Sequence, residues 1–235
     1  MISEALFISS NSTLFSRDFR RLPEWVCYDS IVRKPTKKGG TLCTMQNVTP
    51  LDPRWLSLLL DRKSGLLTMG ETVLTVPCPF YDKKKDEIMC HVKTKFGCHS
   101  WEIPPVAVRM KDEVKKLTRS SQALMMDESY RWFARFLLEG KIIEDFIAIT
   151  PLLNDSPIII TKRKPIAKCE LLVSALSSAN IDTLASLQNY WVKQDKYFLF
   201  RLMKPWVKKD DITNFKKQWM AVVKAHVQKF QDQPE

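Results

Sequence analysis

The sequence is poor in the residues and motifs that mark the common enzyme classes. It has six glycines among 235 residues, too few to build a Gly-rich phosphate-binding loop. Neither a Walker-type Gly-x-x-x-x-Gly-Lys-Ser/Thr motif nor a Gly-x-Ser-x-Gly elbow occurs, and the three histidines form no His-x-x-x-His or His-Glu pattern. We therefore predict no catalytic residues in this chain and interpret it as a binding or regulatory module.

Long apolar runs and an export signal are also missing from the sequence. No apolar run approaches the about 20 residues that a transmembrane helix needs. The N-terminal stretch MISEALFISSNSTLF has neither the basic start nor the long apolar segment of a signal peptide. We expect an intracellular protein without a membrane partner.

The six cysteines are scattered and form no Cys-x-x-Cys pair. Without an export signal, free thiols are the expected state. Two dipeptides, Cys90-His91 and Cys98-His99, raise the alternative of a zinc site. A strand places Cys90 and His91 on opposite faces, so these side chains are poorly placed to bind one ion. We predict no metal ion and no cofactor for this chain.

What the sequence does have is a surplus of positive charge. The formal net charge is +11 and the sequence pI is about 9.4. From Val192 to Lys229, ten Lys and Arg residues face only three Asp residues, a net charge of +7. A basic surplus of this size favours anionic partners, of which nucleic acid is the commonest.

Strand patterns precede helix patterns along the chain, and this order is typical of an α+β fold. We expect a small antiparallel β module over residues 1–60 and a linker over 61–70. A mixed domain with β-hairpins and a helical C-terminal half is expected over 71–235.

Two strand patterns stand out. The stretch from Trp25 to Val32 predicts a strand, and Thr36-Lys37-Lys38-Gly39-Gly40 predicts the turn of a hairpin. Over Glu87–Phe96, one face of the strand is apolar and the other is polar.

Several helices are predicted from apolar stripes preceded by capping residues. The expected caps are Asp52, Asp127, Asp182 and either Asp210 or Asp211. Aromatic residues at strand or helix spacing pack in cores far more often than they stack on bases. We accordingly assign to the core Trp25, Trp55, Phe133, Trp191 and Trp219.

Three segments in the first sixty residues together resemble the OB-fold part of DEAH-box RNA helicases. These segments read LFISSNSTLF, LPEWVCYDSIV and VTPLDPRWL, and the family has a related strand, a Pro-Glu-Trp-Val strand and a Val-Thr…Trp-Leu close in the same order. Farther on, YRWFARFLLEGKI (130–142) and YWVKQDKYFLFRLMKPWV (190–207) resemble the nucleolar DEAH-box helicases of small-ribosomal-subunit assembly. The signature residues of this resemblance are Glu24, Trp25, Val26, Tyr28, Trp55, Phe133, Leu137 and Gly140.

The resemblance implies a partial OB-fold followed by a family-specific C-terminal domain. It also implies a nuclear, nucleolar protein that works in rRNA processing as an accessory region of an ATP-dependent helicase. The implied partners are pre-rRNA or a small nucleolar RNA complex, the helicase core domains and a ribosome-assembly activating protein. ATP and Mg²⁺ would bind in the core domains of the parent enzyme, not in this chain.

The sequence departs from the family pattern by substitution, by insertion and by absence. Ser9-Ser10 stands where the family has His-Pro, and the insert RKPTKKGGTLCTMQN (33–47) replaces a shorter family hairpin. The ATPase core motifs and the opening strands of the OB-fold are also missing. We therefore expect the chain to be the tail of a longer helicase, with a shortened paralogue as the alternative.

Three basic segments are the predicted RNA-binding surfaces. The hairpin tip comprises Arg33, Lys34, Lys37 and Lys38. The basic turn comprises Lys162, Arg163 and Lys164. The C-terminal basic face comprises Lys208, Lys209, Lys216, Lys217 and Lys224.

Each surface has a simpler interpretation. The hairpin tip is equally well explained as charges that protect a sheet edge. The basic turn is also explained as a plain approach to a helix, and the C-terminal basic face as a solvated helix face or a contact for an acidic protein. The alternative function is a protein-interaction module that docks a ribosome-assembly factor and has little RNA affinity of its own.

Overall fold

The computed structural model describes residues 5–36, 39–60, 65–114, 119–162 and 166–231. The chain divides into two compact units. The first comprises Met1–Met69 and Lys93–Pro104, and the second comprises Gly70–Val92 and Pro105–Glu235. Strands and helices are both present in long stretches, which confirms the α+β class. The predicted domain limits stay a prediction.

Nine strands and seven α-helices lie within the described ranges. The strands are β1 (Leu6–Ile8), β2 (Val26–Cys27), β3 (Ser30–Pro35), β4 (Thr41–Gln46), β5 (Thr49–Pro50), β6 (Leu67–Val73), β7 (Phe80–Asp82), β8 (Glu87–Phe96) and β9 (Trp101–Arg109). The helices are α1 (Arg54–Leu59), α2 (Met110–Val114), α3 (Arg119–Leu138), α4 (Ala167–Ser178), α5 (Leu184–Lys193), α6 (Phe200–Met203) and α7 (Ile212–Gln231). No helix in these ranges is both long and apolar enough to cross a bilayer.

The predicted hairpin is confirmed as β3 and β4, which pair antiparallel from Ser30↔Gln46 to Pro35↔Thr41. The single strand predicted from Trp25 to Val32 is wrong, because β2 ends at Cys27 and pairs with β5, whereas β3 begins at Ser30 and pairs with β4. The expectation of a purely antiparallel module is wrong, because β1 pairs with β4 in parallel. The long segment 9–29 between β1 and β3 makes this arrangement possible, since parallel neighbours need a long crossover. Strand β4 is therefore central, and its Cys43 and Met45 are buried.

A second sheet has β8 between β6 and β7, and β9 also pairs with β8. The predicted apolar face of β8 is confirmed, because Ile88, Cys90, Val92 and Thr94 are all buried. On the opposite face Met89 is also buried; it pairs with Phe80 of β7. This strand therefore has apolar cover on both faces over part of its length.

The core of the second unit is aromatic. Trp219 of α7 has its ring centroid 5.2 Å from that of Phe146 and 5.6 Å from that of Phe215. Trp191 of α5 lies 6.4 Å from Trp219 in an edge-to-face arrangement. All four side chains are fully buried, and each such side chain stabilises the fold by about 1.5–3 kcal/mol. The assignment of Trp191 and Trp219 to the core is confirmed.

Two predicted helix caps are wrong. Helix α3 begins at Arg119, so Asp127 lies inside it. Helix α5 is capped by Thr183, whose hydroxyl accepts a hydrogen bond from the backbone N–H of Ser186 in a capping box. Asp182 is buried instead and forms an ion pair with Lys111, with 3.0 Å between Oδ2 and Nζ. Capping patterns cannot reveal that a tertiary partner recruits this carboxylate.

The start of α5 receives a second cap from a residue distant in sequence. The Asp86 carboxylate accepts hydrogen bonds from the backbone N–H groups of Leu184 (2.6 Å) and Ala185 (2.8 Å). The Tyr81 hydroxyl donates to the same carboxylate at 2.6 Å. Burial, together with this hydrogen bond to Asp86, raises the pKa of Tyr81. The Tyr81 hydroxyl and the Asp86 carboxylate thus join the β7–β8 turn to α5.

Gly140 ends α3 in a Schellman motif. Its N–H donates to the Leu137 carbonyl at 3.1 Å, and the N–H of Lys141 donates to the Phe136 carbonyl at 2.9 Å. The φ angle of Gly140 is +70°, and a Cβ added there would lie 2.9 Å from the backbone nitrogen of Ile147. Glycine is required both by the left-handed backbone and by the close approach of the next segment.

We predict that Gly140→Ala lowers the free energy of unfolding by about 2 to 4 kcal/mol, because left-handed strain and a steric clash add. Urea unfolding followed by tryptophan fluorescence measures the loss. The matched control is Gly65→Ala, which has φ +70° but open space around the added Cβ. It should cost only about 1 kcal/mol. Equal losses in both variants would show that the approach of Ile147 does not matter.

Candidate nucleic-acid interface

The hairpin tip presents its described basic residues to solvent. Arg33 pairs with Cys43 and Lys34 pairs with Leu42 in the β3–β4 ladder, and both basic side chains are exposed. Lys37 and Lys38 lie outside the described residues. The two strands thus hold Arg33 and Lys34 at the surface close to the turn.

The turn itself is closed by Thr36 and Gly40. The Thr36 hydroxyl accepts a hydrogen bond from the Gly40 N–H and donates to the Gly40 carbonyl, both at 2.9 Å. Gly39 has φ +81°, the positive angle that the Gly-Gly pair was predicted to supply. Hydrogen bonds between Thr36 and Gly40 therefore close this hairpin at the end of the β3–β4 ladder.

The basic turn is described only at its first residue. Lys162 is exposed and follows the 3₁₀ segment Pro157–Thr161, whose end it caps through its N–H to the Ile159 carbonyl at 3.2 Å. Arg163 and Lys164 lie outside the described residues. The structure therefore tests neither the RNA interpretation nor the helix-approach interpretation of this segment.

Three of the five residues of the C-terminal basic face lie on the exposed side of α7. On α7, Lys216, Lys217 and Lys224 are exposed, while Phe215 and Trp219 are fully buried. At 100° per residue the three lysines fall within an arc of about 100°. They therefore present their charges in one direction.

Lys208 and Lys209 lie just before α7 and are also exposed. The ammonium group of Lys208 donates to the Pro151 carbonyl at 3.1 Å, and the backbone N–H of Lys208 donates to the Leu152 carbonyl at 3.1 Å. Lys208 therefore contacts the backbone of the protein itself, in addition to any anion that it binds.

The signature residues near β2 are partly or largely exposed, and Trp25, which was assigned to the core, is only half-buried. Trp25 and Val26 are half-buried, Glu24 is exposed and Tyr28 is 40% exposed. Val26 pairs with Pro50 of β5. Beside this pair, the Trp25 carbonyl accepts a hydrogen bond from the Leu51 N–H at 2.9 Å.

The assignment of Trp55 to the core is wrong, since this side chain is 52% exposed. In α1 the half-buried side is formed by Leu56, and Leu60 just beyond the helix is also half-buried. Leu58 and Leu59 are 79% and 78% exposed on the same side as Trp55. Two apolar stripes share this short helix, and periodicity alone does not say which one turns inward.

The signature residues of the second unit are buried, which confirms the assignment of Phe133 to the core. Phe133 and Leu137 of α3 and Gly140 at its end are all buried. Two residues before Phe133, Arg131 donates two hydrogen bonds to the Glu170 carboxylate at 2.6 and 2.7 Å. The apolar residues of this segment thus build the core while its arginine secures α4.

Glu139 is the centre of a second charged cluster. Its carboxylate accepts a hydrogen bond from Arg135 at 2.7 Å and lies 2.6 Å from the ammonium group of Lys141. Burial opposes ionisation of Glu139, but the hydrogen bonds from Lys141 and Arg135 outweigh it and lower the pKa of this carboxyl. The basic residues of this segment are therefore used within the fold.

Sequence reasoning missed a group of rings in the first unit. Trp101 lies 6.0 Å from Trp25, 6.3 Å from Phe96 and 5.4 Å from His99 between ring centroids. Trp101 is 52% exposed and His99 is exposed. Three aromatic rings or imidazoles within Phe96–Trp101 were the available signal, but the link to Trp25 is tertiary.

Metal ligands do not cluster in the parts of the chain that the structure describes. No group of three or more His, Cys, Asp or Glu residues in these ranges is placed to hold an ion. Cys90 is buried, whereas His91 is half-buried and packs its ring 5.6 Å from Phe80.

Part of the second unit matches a known protein family. Residues 146–223 match the family described as the DEAH helicase DHX37 C-terminal domain. The chain is also 30% identical over 201 residues to the putative ATP-dependent RNA helicase rha-2 of Caenorhabditis elegans. This match covers 85% of the chain and 15% of the relative. The chain resembles the C-terminal region of DEAH-box RNA helicases.

Two further relatives agree with this resemblance. The human probable ATP-dependent RNA helicase DHX37 is 26% identical over 201 residues, which is 85% of this chain and 15% of that protein. ATP-dependent RNA helicase DEAH13 of Arabidopsis thaliana is 26% identical over 188 residues, or 79% of this chain and 14% of that protein. The helicase-like chain thus spans about 15% of the length of the first relatives it matches.

The lowered pKa of Glu139 predicts a pH dependence of stability. Its stabilising effect is fully present above the unfolded pKa of about 4.3 and is lost as pH falls through the lower, folded pKa. Glu139→Gln should therefore cost about 1 to 2 kcal/mol at pH 7, and the difference from wild type should shrink below pH 4. Urea unfolding across this pH range measures it.

The matched control for this effect is Glu144→Gln. The carboxyl of Glu144 also has a lowered pKa, through its hydrogen bond and ion pair with Lys83, but both partners are exposed. Solvent screening should make its effect small and abolish it in 1 M salt. A Glu139 difference that does not change with pH would contradict the assigned ion pairs.

Proposed function

We propose that this chain is the accessory C-terminal region of an ATP-dependent DEAH-box RNA helicase that acts in rRNA processing and small-subunit ribosome biogenesis. The observation that carries the proposal is the similarity of 85% of the chain to a protein named as an RNA helicase. The proposed location is the nucleolus. ATP and Mg²⁺ would be bound by core domains of the parent enzyme.

In this proposal the chain contributes RNA binding and cofactor binding to the enzyme. Its proposed partners are pre-rRNA or a small nucleolar RNA complex, the helicase core domains and an activating protein of ribosome assembly. The first unit would be a partial OB-fold. Its support is that the three resembling segments form β1, the β2–β3 strands and the β5–α1 close in the expected order.

RNA binding is supported by where the charges lie. Arg33 and Lys34 are exposed at the hairpin, and Lys216, Lys217 and Lys224 share one exposed arc of α7. Lysine and arginine side chains that meet phosphates release counterions, which makes the affinity strong at low salt and independent of sequence. We expect weak base preference and a steep salt dependence.

The test is fluorescence anisotropy of the full chain with a labelled single-stranded RNA across a salt series. Arg33→Glu combined with Lys34→Glu should weaken binding on the order of tenfold and reduce the slope of log K against log salt by about 1.4. Lys216→Glu combined with Lys217→Glu tests α7 in the same way.

The control carries the same charge change at two exposed lysines of another turn, Lys84→Glu combined with Lys85→Glu. It should retain most of the affinity, because long-range charge effects are screened at 0.15 M salt. If the control loses as much affinity as the hairpin variant, binding follows net charge and the proposed surfaces are wrong.

A second candidate function, protein docking, is favoured by a groove in the second unit. The 3₁₀ segment Glu144–Ala148 and helix α7 border a cavity of about 660 Å³. Ala221 and Ala225 form part of its wall, Ile147 is 58% exposed, and Glu144 and Asp145 line it with carboxylates. Acidic groups beside an apolar surface fit a basic, amphipathic segment of a protein partner and would repel RNA.

This candidate predicts partners that survive nuclease treatment. Ala225→Arg fills the groove and adds a repelling charge, so proteins held there should be lost from a nuclease-treated nuclear pull-down. Ser174→Arg, at an exposed position of α4 outside the groove, should keep them. Partners that disappear with nuclease alone support RNA binding instead.

A further inference from the structure

The end of the β8–β9 hairpin carries an unusual group of rings. Trp25 meets Trp101 edge to face at 84° and meets Phe96 at 64°, with centroids 6.0 and 6.1 Å apart. Phe96 and Trp101 lie on either side of the turn and are 6.3 Å apart. Each ring therefore touches the other two, a triangle in the usual range of aromatic packing.

This triangle supports Trp101 without covering it. Trp101 keeps 52% of its surface exposed while Trp25 and Phe96 are half-buried. The backbone of Gly97 lies close by, since a Cβ there would be 3.7 Å from two ring atoms of Trp101. The indole is therefore held from one side and open to solvent on the other.

His99 extends the exposed side of the group. Its imidazole is exposed and lies 5.4 Å from the Trp101 ring at an interplanar angle of 40°. Both rings are open to solvent and lie next to each other. A supported aromatic surface of this kind loses little conformational entropy when a planar group stacks on it.

The surrounding charges favour an anionic ligand. Lys93 and Lys95 are exposed on β8 just before the turn, and Glu102 is the exposed acid beside Trp101. Two lysines against one glutamate leave the hairpin positive. Because side chains alternate along β8, Lys93 and Lys95 lie on the face opposite Phe96. Their charge would attract RNA to the end of the hairpin, where the rings would stack its bases.

We propose that Trp101 and His99 form a base-stacking site for single-stranded RNA at the end of the β8–β9 hairpin. The site rests on the proposed RNA-binding function but adds a contact of a different kind. The hairpin tip and α7 would hold phosphates through charge, whereas this site would hold bases through stacking. Every base has a flat face, so the site would accept any base.

The test uses the full chain and two labelled single-stranded RNAs of equal length and charge, one normal and one abasic. Trp101→Ala should weaken binding of the normal RNA by about 5- to 100-fold, the range found for a lost base stack. Binding of the abasic RNA should not change, and the slope of log K against log salt should stay the same. Trp101→Phe should restore most of the affinity.

The matched control is Trp55→Ala, because Trp55 belongs to the same unit and is also 52% exposed. Trp55 lies outside the group of rings, so the Trp55→Ala variant should bind both RNAs like the wild type. His99→Ala should give a smaller loss than Trp101→Ala on the normal RNA. Circular dichroism checks that each variant is folded.

The outcomes separate this proposal from the proposed function. If Trp101→Ala binds normal RNA like the wild type while the Arg33 and Lys34 variant does not, the stacking site is wrong and RNA binding by charge stands. If Trp101→Ala weakens both RNAs equally, the ring supports the fold or a protein contact and the proposal is wrong. If the wild type binds no RNA, both proposals fail.

Discussion

The packing of Trp219 against its aromatic neighbours is the interaction on which the second unit depends. This side chain of α7 meets Phe146 from the segment after α3 and Trp191 from α5. Three distant parts of the chain thus share one buried contact. Because it fixes the rotation of α7, it also decides that Lys216 and Lys224 face solvent. The core and the basic face are two consequences of one helix orientation.

The segment 130–142, which resembles the helicase pattern, has a physical explanation at three of its positions. Phe133 is buried and Arg131 binds the carboxylate of Glu170, so one turn of α3 supplies both core and ion pair. Gly140 then ends the helix where Ile147 approaches its backbone. The resemblance in this segment reflects packing and chain reversal. RNA contact must be sought elsewhere, on the exposed basic and aromatic residues.

The chain therefore presents three chemically different surfaces. The hairpin and α7 offer exposed cationic side chains, the rings around Trp101 offer a flat aromatic surface, and the groove at Ile147 offers apolar contact beside carboxylates. In the proposed function, positive charge would attract RNA to the first two kinds of surface, and the carboxylates would repel it from the third.

Local patterns in the sequence determined the β3–β4 hairpin, the buried face of β8 and the amphipathic α7, because turn chemistry and periodicity act between near neighbours. Only the tertiary structure decided features that join distant residues. Asp86 caps α5 although it lies 98 residues earlier in the chain, and β1 pairs in parallel with β4. Trp55 is exposed, whereas Trp25 packs against Trp101. No periodicity encodes these choices, since each depends on which distant surface satisfies a polar group or covers a ring.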